Sequence, residues 1–261
     1  MKMPVIFSGH GSPMVALEHN AITQEMNRVG QDVLANFGKP KAILAISAHW
    51  FTPGTYIQTA AEPDQIYDMY GFPDALYQVK YPVKGYLLLS QAVEQLLGEK
   101  VSVNDDWGID HGTWVVLKHM FPQADIPVVQ LSVAQGSTKE AYALGQKLAP
   151  LREQGYLLFA SGNVVHNLRR VEWDNPGGSP MALRFSQYIA EAVLSRQDEK
   201  VLHYKQAQDA AYAVPTLDHF MPLVYALGAS QGEKPQLYNH LCNMGSMDMT
   251  GYTFGLEKPE A

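Results

Sequence analysis

Three of the nine histidines directly follow short apolar runs that predict β-strands. His10 lies in the segment GHGSP, His49 in SAHW and His166 in SGNVVHN. In an open α/β sheet, ligands collect at the carboxyl ends of the parallel strands, so all three imidazoles are expected at one edge. Each one alone is typical of a hydrogen-bonded structural histidine. Together they predict a metal site, because neutral imidazole is a preferred ligand of zinc and ferrous iron.

Two further histidines leave a structural and a functional interpretation open. His111 follows no strong strand, and Asp110 and the nearby glycines predict a shaped loop there rather than a helix. His219 lies where the last predicted helix starts, where a structural role is the simpler interpretation from the residues alone. Four others stand in polar helical or irregular stretches and are interpreted as surface residues: His19, His119, His203 and His240.

The elements that must position these histidines alternate between strand and helix patterns. Buried strands are predicted at Val5–Ser8, Ala42–Ser47, Ile126–Val133 and Tyr156–Ala160. Helices are predicted from Ile22 to the Gly38-Lys39-Pro40 break, over 85–97 and 139–148, from the Ser179-Pro180 cap through Val193, and from near His219 to Gly228. This order predicts an α/β fold: a mainly parallel or mixed central sheet covered by helices on both faces, with the metal site at the carboxyl ends of the strands.

The segment from Tyr67 to Tyr81 is rich in aromatic residues but has no clean period, which predicts a packed loop. Its aromatic side chains form either additional core or a lid over an aromatic ligand. Under the second interpretation, Tyr70 and Phe72 cover the pocket and stack on the substrate.

Composition narrows the class of protein. The 261 residues are 46% hydrophobic and 17% charged, which suits one globular domain over 1–261. A net charge of −7, without any long block of like charges, argues against a nucleic-acid or anionic-membrane partner. Cys242 is the only cysteine, so an intrachain disulfide and a thiolate metal cluster are excluded. With no signal peptide and no apolar run long enough to span a bilayer, we expect a cytoplasmic protein.

Several common enzyme signatures are missing from the chain. It has no GxSxG elbow, no GxGxxG after a strand, no P-loop and no zinc-protease helix motif. The sequence therefore gives no motif evidence for a serine hydrolase, a dinucleotide-dependent enzyme or an enzyme with a phosphate-binding loop.

Four motifs in order carry a resemblance that covers nearly the whole chain: GHGSPM at 9–14, SAHW at 47–50, DHGTW at 110–114 and SGNVVHNL at 161–168. In this order and spacing they resemble the class III extradiol ring-cleavage dioxygenases, and most of all the DOPA 4,5-dioxygenase branch. The resemblance implies a mononuclear non-haem iron(II) enzyme that opens a catechol ring with dioxygen, next to the two hydroxyl groups.

The resemblance also implies roles for five histidines. His10 and His49 match the first two metal ligands of the family. His219, nine residues before Gly228-Ala229, takes the place of a glutamate ligand of the protocatechuate-type relatives. His166 matches the acid–base histidine beside the metal, and with Zn²⁺ bound it is also a candidate fourth ligand. His111 matches another pocket histidine, which we group with His166 as catalytic.

These roles make chemical sense together. Three protein ligands leave open positions where a catecholate can chelate the metal while dioxygen binds beside it. A neutral imidazole at His166 can accept the catechol proton and return it. Exchanging a carboxylate for His219 is expected to leave the site one unit more positive. The predicted partners are a small catechol, such as 3,4-dihydroxyphenylalanine, and O₂, acting on a monomer or small homo-oligomer.

Two alternatives stay open from the sequence. One is a zinc hydrolase that uses a metal-bound water, for which Asp110 is the only motif-borne candidate base. The other is a binding protein that keeps the fold and the pocket without chemistry. A binding protein without chemistry is not expected to keep all the candidate site histidines, and this chain keeps His10, His49, His166 and His219.

Overall fold

The computed structural model describes residues 1–257, in which ten strands and nine α-helices are numbered along the chain. The strands are β1 (Val5–Gly9), β2 (Ala42–Thr52), β3 (Thr55–Ile57), β4 (Val101–Val103), β5 (Val128–Ala134), β6 (Tyr156–Gly162), β7 (Pro235–Tyr238), β8 (Cys242–Asn243), β9 (Met247–Asp248) and β10 (Gly251–Phe254). The helices are α1 (Ala21–Phe37), α2 (Asp74–Tyr77), α3 (Leu87–Leu97), α4 (His111–Met120), α5 (Thr138–Leu148), α6 (Pro180–Leu194), α7 (Asp198–Leu202), α8 (Ala210–Ala213) and α9 (Met221–Ala229).

Eight strands form one mixed sheet in the order β4-β3-β5-β2-β6-β1-β10-β7. The four central strands, β5, β2, β6 and β1, are mutually parallel. β10 and β7 extend one side antiparallel, and β3 pairs antiparallel with β5 on the other side. The predicted α/β class with a mixed central sheet is therefore confirmed. β8 and β9 pair separately as a short hairpin.

Both faces of the sheet are covered by helices, as predicted. Successive residues of a strand point to opposite faces, so Leu44 and Ile46 pack into one core while Ile43 and Ala45 pack into the other. The first core contains apolar residues of α3, α5, α6 and α9, and the second contains those of α1 and α4. Burial on both faces explains why the central strands are continuously apolar instead of alternating.

The predicted helices form, and their ends follow the expected capping chemistry. At α1, Asn20 accepts a hydrogen bond from the Thr23 amide, and Gly38 ends the helix with a φ of 77°. At α6, Ser179 caps the helix and Pro180 occupies its first turn. The helix after His219 begins at Met221, so His219 itself stands in the turn that leads into α9.

Three expectations were wrong, and each bears on the site. β2 continues past Ser47 to Thr52, and its pairing with β5 shifts register between Ser47 and Phe51, so His49 lies within the strand rather than after it. His111 begins helix α4 rather than occupying a loop. His119, expected at the surface, is buried and its Nε2 bonds the Val15 carbonyl at 2.8 Å.

Within residues 1–257, no helix is both long and apolar enough to cross a membrane.

Candidate active site

Five histidines from distant parts of the chain line one cavity of about 380 Å³, and we call them the histidine cluster. His10 follows β1, His49 lies in β2, His111 begins α4, His166 follows β6 and His219 precedes α9. The cavity therefore opens where β1, β2 and β6 end, which is the edge that the sequence predicts. The other three histidines expected at the surface, His19, His203 and His240, are exposed.

The rings of His10, His49 and His219 form a nearly equilateral triangle. Their centroids lie 5.0 Å apart for His10 and His49, and 5.2 Å apart for each of the other two pairs. The Nε2 atoms of His10 and His49 face each other at 3.2 Å. His166 stacks flat on His219 with a centroid distance of 3.4 Å, and the His111 centroid lies 3.9 Å from that of His49.

Two separate groups of candidate ligand atoms, with no member in common, result from this packing. Ligand atoms of His10, His49 and His111 lie within 4.8 Å of one another, and the same holds for His166, Asp218 and His219. The triad predicted from the resemblance takes members from both groups. All five imidazoles line the same cavity.

Hydrogen bonding fixes which nitrogen of His10 carries the proton. The Ser161 hydroxyl donates to the Gly112 carbonyl at 2.5 Å, so it must accept from the Nδ1–H of His10, 3.0 Å away. The Nε2 of His10 is then left with its lone pair, which is the form that binds a metal.

Asp68 fixes the tautomer of two histidines, His49 and His111. Its carboxylate accepts from the Nδ1–H of His49 at 2.8 Å and from that of His111 at 2.9 Å. The His111 backbone amide also donates to it. Sequence reasoning missed Asp68. The available signal was a carboxylate inside the aromatic segment 67–81, and Asp74 in the same segment offered the same signal.

Asp218 orients the third member of the triad. Its Oδ2 accepts from the Nδ1–H of His219 at 2.5 Å, so the Nε2 of His219 also carries its lone pair. Asp68 and Asp218 place two carboxylates against the rings. The expected extra positive charge from a third histidine is therefore offset by these neighbours.

The local environment shifts the pKa values of the cluster. Burial and neighbouring imidazoles lower the pKa of His10 and of His219 well below the usual histidine range. Burial is the main reason that the pKa of His166 falls to about 4. Burial opposes protonation of His49 too, but the hydrogen bond to Asp68 and nearby carboxylates outweigh it and raise its pKa. At neutral pH, His10, His166 and His219 are therefore neutral.

This donor set fits a divalent metal ion. The Nδ1–H groups of His10, His49 and His219 are bound to other residues, so each ring keeps its Nε2 lone pair. The Nε2 atoms of His10 and His49 face each other at 3.2 Å, and two such lone pairs repel unless a cation lies between them. The hydrogen bond to Asp68 and the nearby carboxylates, which raise the pKa of His49, favour positive charge at this place. A metal ion would displace any proton on the Nε2 of His49, as metals do when they bind imidazole.

Asp110 is the candidate base of the hydrolase alternative, but both of its carboxylate oxygens accept structural hydrogen bonds. Its Oδ1 accepts from the Ser47 hydroxyl at 2.7 Å and from the Thr113 amide at 3.1 Å. Its Oδ2 accepts from the Trp107 indole at 3.1 Å and from the Gln130 side chain. Asp110 therefore caps α4 and holds Ser47 in place, and no lone pair of it is left to activate water.

Two glycines of the motifs allow close approach of these elements. A Cβ on Gly112 would lie 2.8 Å from the Ser47 Oγ and 2.9 Å from the His49 Cδ2. A Cβ on Gly162 would lie 2.2 Å from the His219 carbonyl oxygen. The backbones carrying these glycines thus lie directly against two of the candidate ligands.

The aromatic segment 67–81 is divided between core and cavity. Tyr81 is buried and its hydroxyl donates to the Phe121 carbonyl, and Tyr67 packs edge-on against Trp114. Tyr70 and Phe72 line the cavity, and Phe72 also packs against the second core. The short helix α2, which the sequence did not predict, lies within this segment.

Comparison with known proteins identifies the class of this chain. Residues 4–255 match the family described as the catalytic LigB subunit of aromatic ring-opening dioxygenase. A protein named 4,5-DOPA dioxygenase extradiol from Escherichia coli K12 is 40% identical, covering 97% of this chain and 95% of that protein. Its namesake from Beta vulgaris is 35% identical, covering 95% of each.

A solved structure agrees with the sequence matches. The crystal structure of an uncharacterised Escherichia coli K12 protein superposes with a TM-score of 0.84 at 35% identity, covering 97% of this chain and all of that one. The chain therefore belongs to the LigB family of aromatic ring-opening dioxygenases. Within that family it lies in the 4,5-DOPA dioxygenase branch of the class III extradiol enzymes, which are metal-dependent oxidoreductases acting on a small molecule and O₂.

Proposed function

We propose that this protein opens the ring of a small catechol, such as 3,4-dihydroxyphenylalanine, next to its two hydroxyl groups with O₂. The observation that carries the proposal is the triangle of the His10, His49 and His219 rings at one cavity of about 380 Å³, with the Nε2 atoms of His10 and His49 3.2 Å apart. The name of the relatives that share nearly the whole chain supports the choice of catechol.

His10, His49 and His219 would hold the metal, which we propose is iron(II) in turnover. Bound there, iron(II) supplies a redox-active centre that brings the catecholate and dioxygen together. Zn²⁺ suits the same imidazoles as a bound ion, with His166 as a fourth ligand, but it has no accessible redox change. Ser161, Asp68 and Asp218 keep the three ligand rings in the required tautomer.

His166 is the acid–base residue in this proposal. Among the described residues, no side chain or backbone group hydrogen-bonds to its ring nitrogens, and its lowered pKa keeps it neutral and able to take a catechol proton. His111 is held by Asp68 through Nδ1, which leaves its Nε2 to contact a substrate oxygen. We therefore keep both as catalytic residues.

The remaining proposals concern the whole protein. We infer one domain over residues 1–261, a cytoplasmic location, and a monomer or small homo-oligomer without a nucleic-acid partner. The net charge of −7 and the single cysteine support the location and the absence of nucleic acid. The hydrolase alternative is not favoured, because the carboxylate that it needs, Asp110, is occupied by four hydrogen bonds.

The test is anaerobic reconstitution with iron(II), followed by catechols in air. We expect the yellow semialdehyde product with DOPA or a simple catechol, and no product from a zinc-loaded control. If the iron-loaded protein consumes no O₂ with any catechol, the proposal is wrong. If the zinc form hydrolyses esters or amides instead, the hydrolase replaces it.

A further inference from the structure

Two adjacent arginines have no carboxylate partner within residues 1–257. The chain has six arginines. Four of them form ion pairs with aspartate or glutamate at 2.5 to 2.9 Å: Arg28, Arg152, Arg184 and Arg196. The other two, Arg169 and Arg170, are exposed, and their guanidinium groups neither pair with nor hydrogen-bond to any described residue. In a protein with a net charge of −7, this pair of groups is available to an anion from outside.

Both arginines lie at the opening of the cavity that contains the histidine cluster. Leu168 and Val171, which flank them in the chain, line that cavity. Leu168 is 67% exposed, whereas His10 in the cluster is 2% exposed, so segment 168–171 lies at the solvent end. A catechol with its ring at the histidines therefore directs its substituent toward the opening where the two guanidinium groups are.

The turn that carries these arginines is held by the buried side chain of Asn167. Its Oδ1 accepts from the Arg169 amide at 3.2 Å, and its carbonyl accepts from the Arg170 amide at 2.9 Å. Its Nδ2 donates to the Tyr212 carbonyl at 2.7 Å, and its carbonyl also accepts from the Ser246 hydroxyl at 2.8 Å. The backbone at the opening is thus fixed before a ligand binds, which lowers the entropy cost of binding.

The chemistry of the opening favours a carboxylate. A guanidinium group presents planar N–H donors that match the two oxygens of a carboxylate. Among the described residues that line the cavity, none is a lysine or an arginine. A carboxylate on the substituent would therefore find its cation at Arg169 and Arg170, just outside the lining.

We propose that Arg169 and Arg170 bind a carboxylate on the substituent of the catechol, so that the enzyme favours catechols carrying this group. This inference rests on the proposed ring cleavage and names residues that decide its substrate class. Because the pairing is exposed to water, we expect it to raise kcat/KM by roughly three- to tenfold, between the effect of a surface ion pair and that of a charged hydrogen bond.

The experiment compares three catechols whose side chains differ in charge: 3-(3,4-dihydroxyphenyl)propionate, DOPA and dopamine. Dopamine lacks the carboxylate, and the propionate lacks the ammonium group. In the iron-loaded enzyme, Arg169→Ala/Arg170→Ala should lower kcat/KM by roughly three- to tenfold for the propionate and DOPA, mainly through KM, but not for dopamine. The loss for the propionate should shrink as salt is added, because salt screens an exposed ion pair.

Two double variants separate this pairing from other effects. Lys200→Ala/Lys205→Ala removes the same two positive charges at exposed positions that do not line the cavity, so its kcat/KM for the propionate should match that of the unmodified enzyme. Arg169→Lys/Arg170→Lys keeps both charges and should restore much of the loss seen in the alanine variant.

The zinc-loaded protein gives a second measurement that needs no turnover. Calorimetric titration with the propionate should give a Kd roughly three- to tenfold higher in Arg169→Ala/Arg170→Ala than in the unmodified protein. Titration with dopamine should show no such loss of affinity.

The possible results separate this inference from the proposed function. An equal loss for dopamine and the propionate, or no loss for either, overturns the inference and leaves ring cleavage intact. A loss of the same size in Lys200→Ala/Lys205→Ala also overturns it, because overall charge then explains the preference. If the iron-loaded enzyme cleaves none of the three catechols, the proposed function is wrong, and the affinities of the zinc-loaded protein still decide this inference.

Discussion

The carboxylate of Asp68 accepts hydrogen bonds from the Nδ1 atoms of both His49 and His111. In Asp68→Asn, one of the two oxygens becomes an NH₂ group, which can only donate. One imidazole must then move its proton to Nε2 and lose the lone pair that faces the cluster. We expect metal affinity to fall by roughly 10- to 100-fold, the usual cost of removing a hydrogen-bond partner of a metal-binding histidine. Competition with a chelator measures it.

Asp64→Asn is the control for Asp68→Asn. Asp64 is an exposed carboxylate of the segment before Asp68 and does not line the histidine cavity. Its variant should bind metal like the unmodified protein. Unchanged metal affinity in Asp68→Asn would mean that the His49 tautomer is set by something other than this carboxylate.

His166 and His49 should respond differently to removal. His166→Ala should retain most of the iron while ring cleavage falls by roughly 10² to 10⁴, the range for losing a general acid–base group. His49→Ala should lose the metal, because its Nε2 belongs to the triangle with His10 and His219. Metal content and rate are measured on the same preparations. Loss of iron from His166→Ala as complete as from His49→Ala would make His166 a ligand and His111 the base.

Part of this site follows from the sequence and part does not. His10 and His166 follow buried apolar runs, so strand direction alone predicts that both lie at the edge of the sheet where the parallel strands end. The role of His219 needed the resemblance, because nothing in the local sequence distinguishes it from a helix-capping residue. Asp68 and Ser161 were missed because they act by hydrogen bonds across 19 to 151 residues of chain, which no local pattern records.

At the scale of elements, the missed helix α4 has a physical explanation. Nine of its ten residues are buried, including all four from Trp114 to Leu117, because it packs between the sheet, α1 and the aromatic segment. A helix buried on all sides has no polar face and hence no 3.6-residue period. Asp110 does cap its first turn, but a single cap without a period was not enough to predict a helix.

Gly112→Ala tests the contact between α4 and β2. Alanine is favoured over glycine within a helix by about 1 kcal/mol, so propensity alone predicts a more stable protein. Here the added Cβ would lie 2.8 Å from the Ser47 Oγ and 2.9 Å from His49 Cδ2. We therefore expect the opposite: a lower melting temperature and weaker metal binding, as His49 is displaced.

Gly54→Ala is the comparison for Gly112→Ala. A Cβ on Gly54 meets no atom closer than 3.6 Å, so this variant should keep the metal affinity of the unmodified protein. Full metal affinity in Gly112→Ala would mean that β2 shifts freely at its irregular register between Ser47 and Phe51.

At the scale of the whole molecule, the site contains histidines that lie between residues 10 and 219 of the chain and come together only in the folded protein. Protonation of these histidines is therefore coupled to folding. Burial lowers the pKa of four cluster histidines: His10, His111, His166 and His219. In the unfolded chain they titrate near the usual value of about 6.5. Below that pH the unfolded state binds more protons than the folded state, so acid favours unfolding. Within the histidine cluster, His49 with its raised pKa opposes this effect.

The metal-free protein should therefore lose stability as the pH is lowered from about 7.5 to 5.5, because its free energy of unfolding rises with pH over that range. Each histidine that stays neutral in the fold contributes up to about 1.4 kcal/mol per pH unit below its unfolded pKa. His166→Asn removes one such group, so its melting temperature should fall less steeply with acid. His203→Asn, at an exposed position outside the cluster, should keep the slope of the unmodified protein. A flat melting temperature in the unmodified metal-free protein, or an equal slope in His166→Asn, would show that the cluster accepts protons without unfolding.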